Sequence, residues 1–512
     1  MKKGSLLLAT GLGLTLTGAT SANSESPQYW VDNGKKALAA ELRSYPNMRS
    51  AKNIILFVGD GMGMSTVTAS RILEGQLRGE NGEENELSFE QLPYMSLSKT
   101  YTTNFQVPDS AGTMTAMMTG VKTRSGVLNL DQTVDRGDCN FSENNVLTTF
   151  LQTAEDAGQS TGVVSTARLT HATPAATYSV SPDRGWEDDK DMPQEAKDAG
   201  CVDIASQLID FEYGNGIEVA MGGGRRSFIP ATMNDPEDTD RTGERQDNRN
   251  LTEEWVANNS NSAYVWNKEQ FDNIDPQNTD HLLGLFNRSH MEYEADREED
   301  TGGEPSIADM TDKAIDILSK NRKGFFLMVE SGRIDHGHHS GNAYRALHDT
   351  IAFSKAVKTA MEKTDPRETL IIVTADHSHV MTIAGYPQRG NSILGKVVAT
   401  DRQGNPSDNV LLAADGLPYT TLGYANGPGT NGSGSAQRRV DLNNMDTEAR
   451  DFRQESLIPL YSETHAGEDV AVYAGGPWAH LFNKTQEQSY VFYVMNHASR
   501  INKRKWWAWN QW

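Results

Sequence analysis

Phe325-Phe326-Leu327-Met328-Val329-Glu330-Ser331-Gly332-Arg333-Ile334-Asp335-His336-Gly337-His338-His339 is the stretch around which the chain is organised. Five consecutive apolar residues suit a strand buried on both faces, as the strands of parallel sheets are. Glu330 follows at the C-terminal end of that strand, where open α/β sheets gather their ligands. Asp335 and His339 stand four apart, so one helical turn puts them on the same side. Carboxylate oxygen and imidazole nitrogen are donors that Zn²⁺ takes together. The plainer alternative is a polar loop after a strand, and it is the preferred reading of His336 and His338 on local grounds.

Two further segments repeat the arrangement. Lys52 to Val58 is an apolar strand that leads to Asp60, and Leu370 to Ala375 leads to Asp376 and His377. In a parallel sheet Asp60, Glu330 and Asp376 project from the same edge. Asp335, His339, His377 and His465 from the loops beyond complete a ligand set large enough for more than one metal ion. Gly61-Met62-Gly63 lacks the Lys-Ser/Thr of a P-loop and the full dinucleotide fingerprint. Those glycines are read as room for the backbone beside Asp60. Val107-Pro108-Asp109-Ser110 precedes a run of small residues and Met suited to a buried helix. Ser110 is either an ordinary helix cap or a nucleophile placed at the positive end of the helix dipole.

The chain has 512 residues and a net charge of −22. Such an acidic surface argues against nucleic acid as a partner, because phosphate backbones are bound by basic surfaces. Residues 1–22 read as a cleaved secretory signal: Lys2 and Lys3, an apolar centre from Leu6 to Leu16, and a small-residue site ending at Ala22. The mature protein is therefore expected in the periplasm or outside the cell. Cys139 and Cys201 of an exported chain pair by default, the alternative being two buried thiols. A single α/β domain is expected over 23–500, with a large, mostly parallel sheet flanked by helices on both faces. Residues 231–306 read as a surface elaboration and 387–459 as a second insertion. Helices are expected over Ile307–Leu318, over Tyr344–Met361 and near 485–498. The basic, Trp-rich tail at 501–512 suits contact with a membrane interface, with a frayed appendage as the alternative.

Six motifs carry a family resemblance. V-G-D-G-M-G at 58–63, P-D-S-A-G-T at 108–113, H-A-T-P-A at 171–175, R-I-D-H-G-H-H at 333–339, T-A-D-H-S-H at 374–379 and E-T-H-A-G-E-D-V at 463–470 resemble, in order, those of the alkaline phosphatases. The resemblance implies two zinc ions and one magnesium ion. Asp335, His339 and His465 would hold the first zinc; Asp60, Asp376 and His377 would hold the second, on which Ser110 acts as nucleophile. Magnesium would lie with Asp60, Thr173, Glu330 and waters, one of them held by His171. Arg184 would grip two phosphate oxygens, while Arg168 fits poorly because its spacing to Thr173 is wrong. Asp109 and His336 would support the site, His336 by tuning phosphate and metal binding through water.

A fourth, calcium-like site of some animal members has its nearest matches at Glu237, the Phe286 carbonyl and Glu304. Asn287 stands there in place of an acid, which speaks against Ca²⁺. The same relatives carry a disulfide at the positions of Cys139 and Cys201, and the family's habit implies a homodimer. The function implied is exported hydrolysis of phosphate monoesters through a phosphoserine. Same-fold hydrolysis of phosphodiesters or sulfate esters is the alternative, and an exported metal- or phosphate-binding protein without turnover is a third reading.

Overall fold

The computed structural model describes residues 26–43, 45–429 and 439–501. The segment read as a secretory signal, residues 1–22, and the tail beyond residue 501 lie outside the described residues. Two compact units are distinguished, Met1–Tyr45 and Pro46–Trp512. In the first, the helix Pro27–Glu41 starts where Ser26 Oγ accepts from the Tyr29 N–H, with proline in the first turn.

The second unit is built on a ten-stranded sheet. Its strands are β1 (Asn53–Gly59), β2 (Tyr94–Lys99), β3 (Ser160–Arg168), β4 (Val219–Gly223), β5 (Ser262–Val265), β6 (His281–Leu285), β7 (Phe325–Ser331), β8 (Thr369–Ala375), Val470–Gly475 and Thr485–Glu487. The order across the sheet is Thr485–Glu487, β2, Val470–Gly475, β8, β1, β7, β3, β4, β6, β5. From β8 to β5 every pairing is parallel; Val470–Gly475 runs antiparallel to both its neighbours.

Alternation along β1 divides the core. Ile54, Leu56 and Val58 pack on one face with the helices Ser110–Thr119, Phe150–Asp156, Ala172–Tyr178 and Tyr490–Ser499. Ile55 and Phe57 pack on the other with Ile307–Leu318 and Ala343–Lys363. Each such side chain, fully removed from water, contributes roughly 1.5–3 kcal/mol, so slipping the register of β1 would be costly. That register sets the site: Val58 lies opposite both Glu330 and Thr374, and Gly59 opposite Ser331 and Ala375. The three strand ends therefore finish level, side by side.

One expectation needs correction. Residues 231–306 are more than a surface elaboration, since they supply β5 and β6 to the main sheet. Leu282, Leu283, Leu285 and Phe286 are fully buried, and Trp255 is nearly so. These strands are only four and five residues long. Set among charged loops, they make no apolar run long enough to stand out. The second insertion forms a small sheet in which Leu422–Gly427 pairs with Met381–Ile383 and Ser456–Pro459. Its Ile393, Leu394, Leu422 and Tyr424 pack against Ala69, Leu73, Leu347 and Ile351. Cys139 and Cys201 form a disulfide that closes a loop of 62 residues against Trp186 and Met192. In the chain-entropy account such a closure stabilises by about 4 kcal/mol.

Candidate active site

Asp60, Glu330, Asp376 and His377 leave the adjacent ends of β1, β7 and β8 and are fully buried. Gly61 turns the chain just after β1 with φ +69°, and a Cβ there would lie 2.3 Å from the His379 ring. Only glycine fits that approach, as the sequence reading of this turn expected. The helix Arg333–His339 brings Asp335 and His339 to one side, and Asp335 Oδ1 lies 3.3 Å from His339 Nε2.

Two groups of acceptors converge. His465 donates from Nδ1 to the Pro108 carbonyl at 2.8 Å, and His339 donates from Nδ1 to the Glu463 carbonyl at 2.6 Å. A neutral imidazole has one proton, so both Nε2 atoms keep bare lone pairs. These two nitrogens stand 3.1 Å apart, and 3.2 and 3.3 Å from Asp335 Oδ1. The second group repeats the pattern. His377 donates from Nδ1 to the Ser378 carbonyl at 3.3 Å, which leaves Nε2 3.3 Å from Asp60 Oδ1 and 3.4 Å from Asp376 Oδ2. Lone pairs set face to face at such distances repel unless a cation lies between them. Imidazole nitrogen with carboxylate oxygen is a zinc-type donor set, and these residues fit two such ions.

A third set consists of oxygens. Asp60 Oδ2, Thr173 Oγ1 and Glu330 Oε1 are each buried without a hydrogen-bond partner. The other Glu330 oxygen accepts from Ser165. His171 lies with Asp60 and Glu330 in one candidate cluster. Hard oxygen donors suit Mg²⁺, and these residues fit it. Without a cation the carboxylates crowd one another. Burial, then Asp376, Asp335 and Glu330, push Asp60 well above the usual carboxylate range. Glu330 is pushed up to about 7 by burial and the charge of Asp376.

Ser110 opens the helix Ser110–Thr119, but Asp109 is the cap: its carboxylate accepts from the N–H groups of Ala111 and Gly112. The serine hydroxyl is thus released from capping. Ser110 Oγ lies 3.3 Å from His377 Nε2 and 3.5 Å from Asp60 Oδ1. Arg184 donates to Asp109 Oδ2 and to His171 Nε2, each at 3.0 Å. Burial would raise Asp109, but Arg184 and the backbone N–H groups outweigh it and hold it ionised. Arg168 instead pairs with Glu187 through Nε at 2.7 Å and Nη2 at 2.5 Å.

Two residues of the site escaped the sequence reading as individuals. Buried His379 places Nε2 2.7 Å from Asp335 Oδ1 and Nδ1 2.5 Å from Glu463 Oε2. Burial alone would lower it, but Glu463 and Asp335 raise it to about 10. It is an imidazolium that clamps Asp335. Both residues stand inside quoted motifs, yet nothing local shows that one carboxylate would reach a histidine 84 residues away.

The calcium-like set does not fit a cation. Glu237 accepts from Arg225 Nη2 at 2.8 Å and from the Gly302 N–H at 2.9 Å. Glu304 accepts from Asn287 Nδ2 at 3.0 Å and from the Glu292 N–H at 2.8 Å. Each carboxylate oxygen already has an N–H donor.

The family profile described as alkaline phosphatase matches residues 51–501. The chain is 44% identical over 504 residues to the tissue-nonspecific alkaline phosphatase isozyme of Homo sapiens, covering 97% of this chain and 93% of that one. It is 42% identical over 489 residues to alkaline phosphatase of Gadus morhua, covering 94% and 98%. Among solved structures, alkaline phosphatase of Thermus thermophilus superposes with a TM-score of 0.63 at 24% identity, covering 90% of this chain and 94% of that one. That of the Antarctic bacterium TAB5 gives 0.59 at 20%, covering 89% and 100%. At these identities the solved structures speak for the fold alone.

Proposed function

This chain belongs to the alkaline phosphatase family of metal-dependent enzymes acting on phosphate esters, and from that premise we propose an exported phosphomonoesterase that works through a phosphoserine at Ser110. The observation that carries the site assignment is the convergence of bare Nε2 lone pairs and carboxylate oxygens around two points, beside a serine freed from capping. Export is supported by the signal-like leader and by a disulfide suited to an oxidising compartment.

Asp335, His339 and His465 would hold one zinc ion, and Asp60, Asp376 and His377 the other. Asp60, Thr173 and Glu330 would hold magnesium. When bound, these cations supply Lewis-acid polarisation of oxygen and depress the pKa of hydroxyl and water. Arg184 offers its planar fork to two phosphoryl oxygens and is held on target by Asp109 and His171. The Ser110 hydroxyl gives up its proton to solvent, Oγ attacks phosphorus as the bond to the leaving oxygen breaks, and the leaving oxygen takes up a proton and departs as the free alcohol. Water then attacks the phosphoserine; its oxygen bonds to phosphorus, the Oγ–P bond breaks and Ser110 regains a proton. His379 keeps Asp335 ionised and oriented throughout.

Metal content and phosphate release, measured together, test this reading. The purified protein should hold about two zinc ions and one magnesium ion per chain. Release from a monoester should exceed that from a diester or sulfate ester with the same leaving group. Chelation should abolish it, and zinc with magnesium should restore it. Full turnover in a metal-free preparation would overturn the proposal.

A further inference from the structure

Next to the converging acceptors, Arg168, His290, Arg333 and His336 line a wall that the reaction above leaves unused. The rings of His290 and His336 stand 4.1 Å apart, with His171 at 5.4 and 5.6 Å from them. Arginine decides where each proton sits. His336 Nδ1 accepts from Arg333 Nη1 at 3.1 Å, and His290 Nδ1 accepts from the Arg168 backbone N–H at 3.2 Å. Each neutral ring therefore carries its proton on Nε2. Burial, followed by His336 and Arg168, keeps the His290 ring uncharged.

Both nitrogens of His290 thus meet N–H donors of Arg168, the backbone N–H at Nδ1 and Nη1 at Nε2, and a neutral ring can accept at only one of them, so a donor is left over for an outside acceptor. Arg168 commits Nε and Nη2 to Glu187, which leaves Nη1 for this wall and for Ser289 Oγ at 3.4 Å. Arg333 lies 3.7 Å over the ring of Tyr293, and its Nε is buried without a partner. The wall is reachable: side-chain exposure is 18% for His336 and 14% for Arg168. At the metal centre acceptors face acceptors, which calls for a cation. Here a donor is left over, which calls for an anion.

We propose that Arg168, His290 and Arg333 form a second anion subsite, which receives an anionic group carried on the leaving-group side of the substrate. The inference rests on the phosphomonoesterase reading above. Ser110 touches the Asp60–His377 group, so an in-line displacement delivers the leaving oxygen to the Asp335 group. His336 Nε2 is 4.0 Å from Asp335 Oδ2, so the next atoms of the leaving group pass this wall. A carboxylate or phosphate oxygen there accepts from His290 Nε2 and Arg168 Nη1 together, with the guanidinium of Arg333 near by.

Two substrates matched in shape test the subsite: 3-carboxyphenyl phosphate and 3-carbamoylphenyl phosphate. One charge-assisted hydrogen bond corresponds to a preference for the carboxylate of about tenfold in kcat/KM. His290→Phe, which keeps the ring contact with His336, should erase that preference, and His290→Asp should invert it. The carboxamide should be hydrolysed within about twofold of wild type by both variants. Competitive inhibition by the two corresponding phosphonates should show the same ratios without turnover. An unchanged carboxylate-to-carboxamide ratio in His290→Asp overturns the subsite while leaving the phosphomonoesterase reading intact. Failure of wild type to hydrolyse either ester overturns that reading, and the subsite with it.

Discussion

The two ends of the central sheet both bury carboxylates, and they solve the problem differently. At the C-terminal ends of β1, β7 and β8, imidazole lone pairs are turned toward Asp60, Asp335 and Asp376, so the cluster is complete only around cations. At the opposite end, Glu155 and Glu218 sit beside the start of β3. Thr161 donates its hydroxyl to Glu155 at 2.6 Å and its N–H to Glu218 at 2.7 Å, and Asn215 donates to Glu218 at 2.9 Å. Burial, then the charge of Glu218, raise Glu155 to about 9. There the compensating charge is a proton. Carboxylate burial is thus not by itself a sign of chemistry; what separates the ends is whether the neighbours present donors or bare acceptors.

The sharpest way to break this contrast is at Ser110. Ser110→Ala should lower turnover of a phosphate monoester by about 10³-fold or more, with zinc content unchanged by elemental analysis. Near-normal turnover would detach the acceptor cluster from the proposed nucleophile. His379→Ala removes the imidazolium that orients Asp335 and should weaken zinc binding about 10–100-fold in competition with a chelating dye. Unaltered affinity would mean that Asp335 needs no clamp. Arg184→Ala deletes charge-assisted bonding with a net worth of roughly 1.5–3 kcal/mol, so kcat/KM should drop about 10–100-fold while metal content holds. Arg184→Lys should recover only part of this, because an ammonium lacks the fork.

The smallest effect is predicted at the proton-compensated end. The raised pKa of Glu155 means that its contribution to stability is fully present below its ordinary value of 4.5 and is lost as pH rises through about 9. Glu155→Gln keeps the protonated shape without a titrating group. Its melting temperature should gain on wild type progressively from about pH 5 to pH 10. A difference that stays constant across that range would remove Glu155 from the pH dependence.

Much of this site can be read before any coordinate is seen. An apolar run followed by an acid is a local pattern, and the four-residue spacing of Asp335 and His339 is a helical one. Those features identified β1, β7, β8 and the residues at their ends. The cap on the helix Ser110–Thr119 was not legible, because Asp109 and Ser110 are both good caps and only the fold shows which one is used. β5 and β6 were missed because four or five residues among charges carry too little periodicity. Arg168 was set aside for its spacing alone, and its partnership with Glu187 and His290 depends on residues up to 122 positions away.

By itself the sequence determined the fold class, the three acid-ended strands and the residue types from which a metal centre could be made, since each rests on contacts within a few residues along the chain. The tertiary structure alone decided that β7, β1 and β8 are neighbours ending level, and which nitrogen of each histidine faces inward. It also decided that His339 and His465 turn bare Nε2 atoms toward Asp335 Oδ1 while His379 donates to the same oxygen. Strand adjacency and tautomer are set by partners far away in sequence, and no local pattern of residues encodes them.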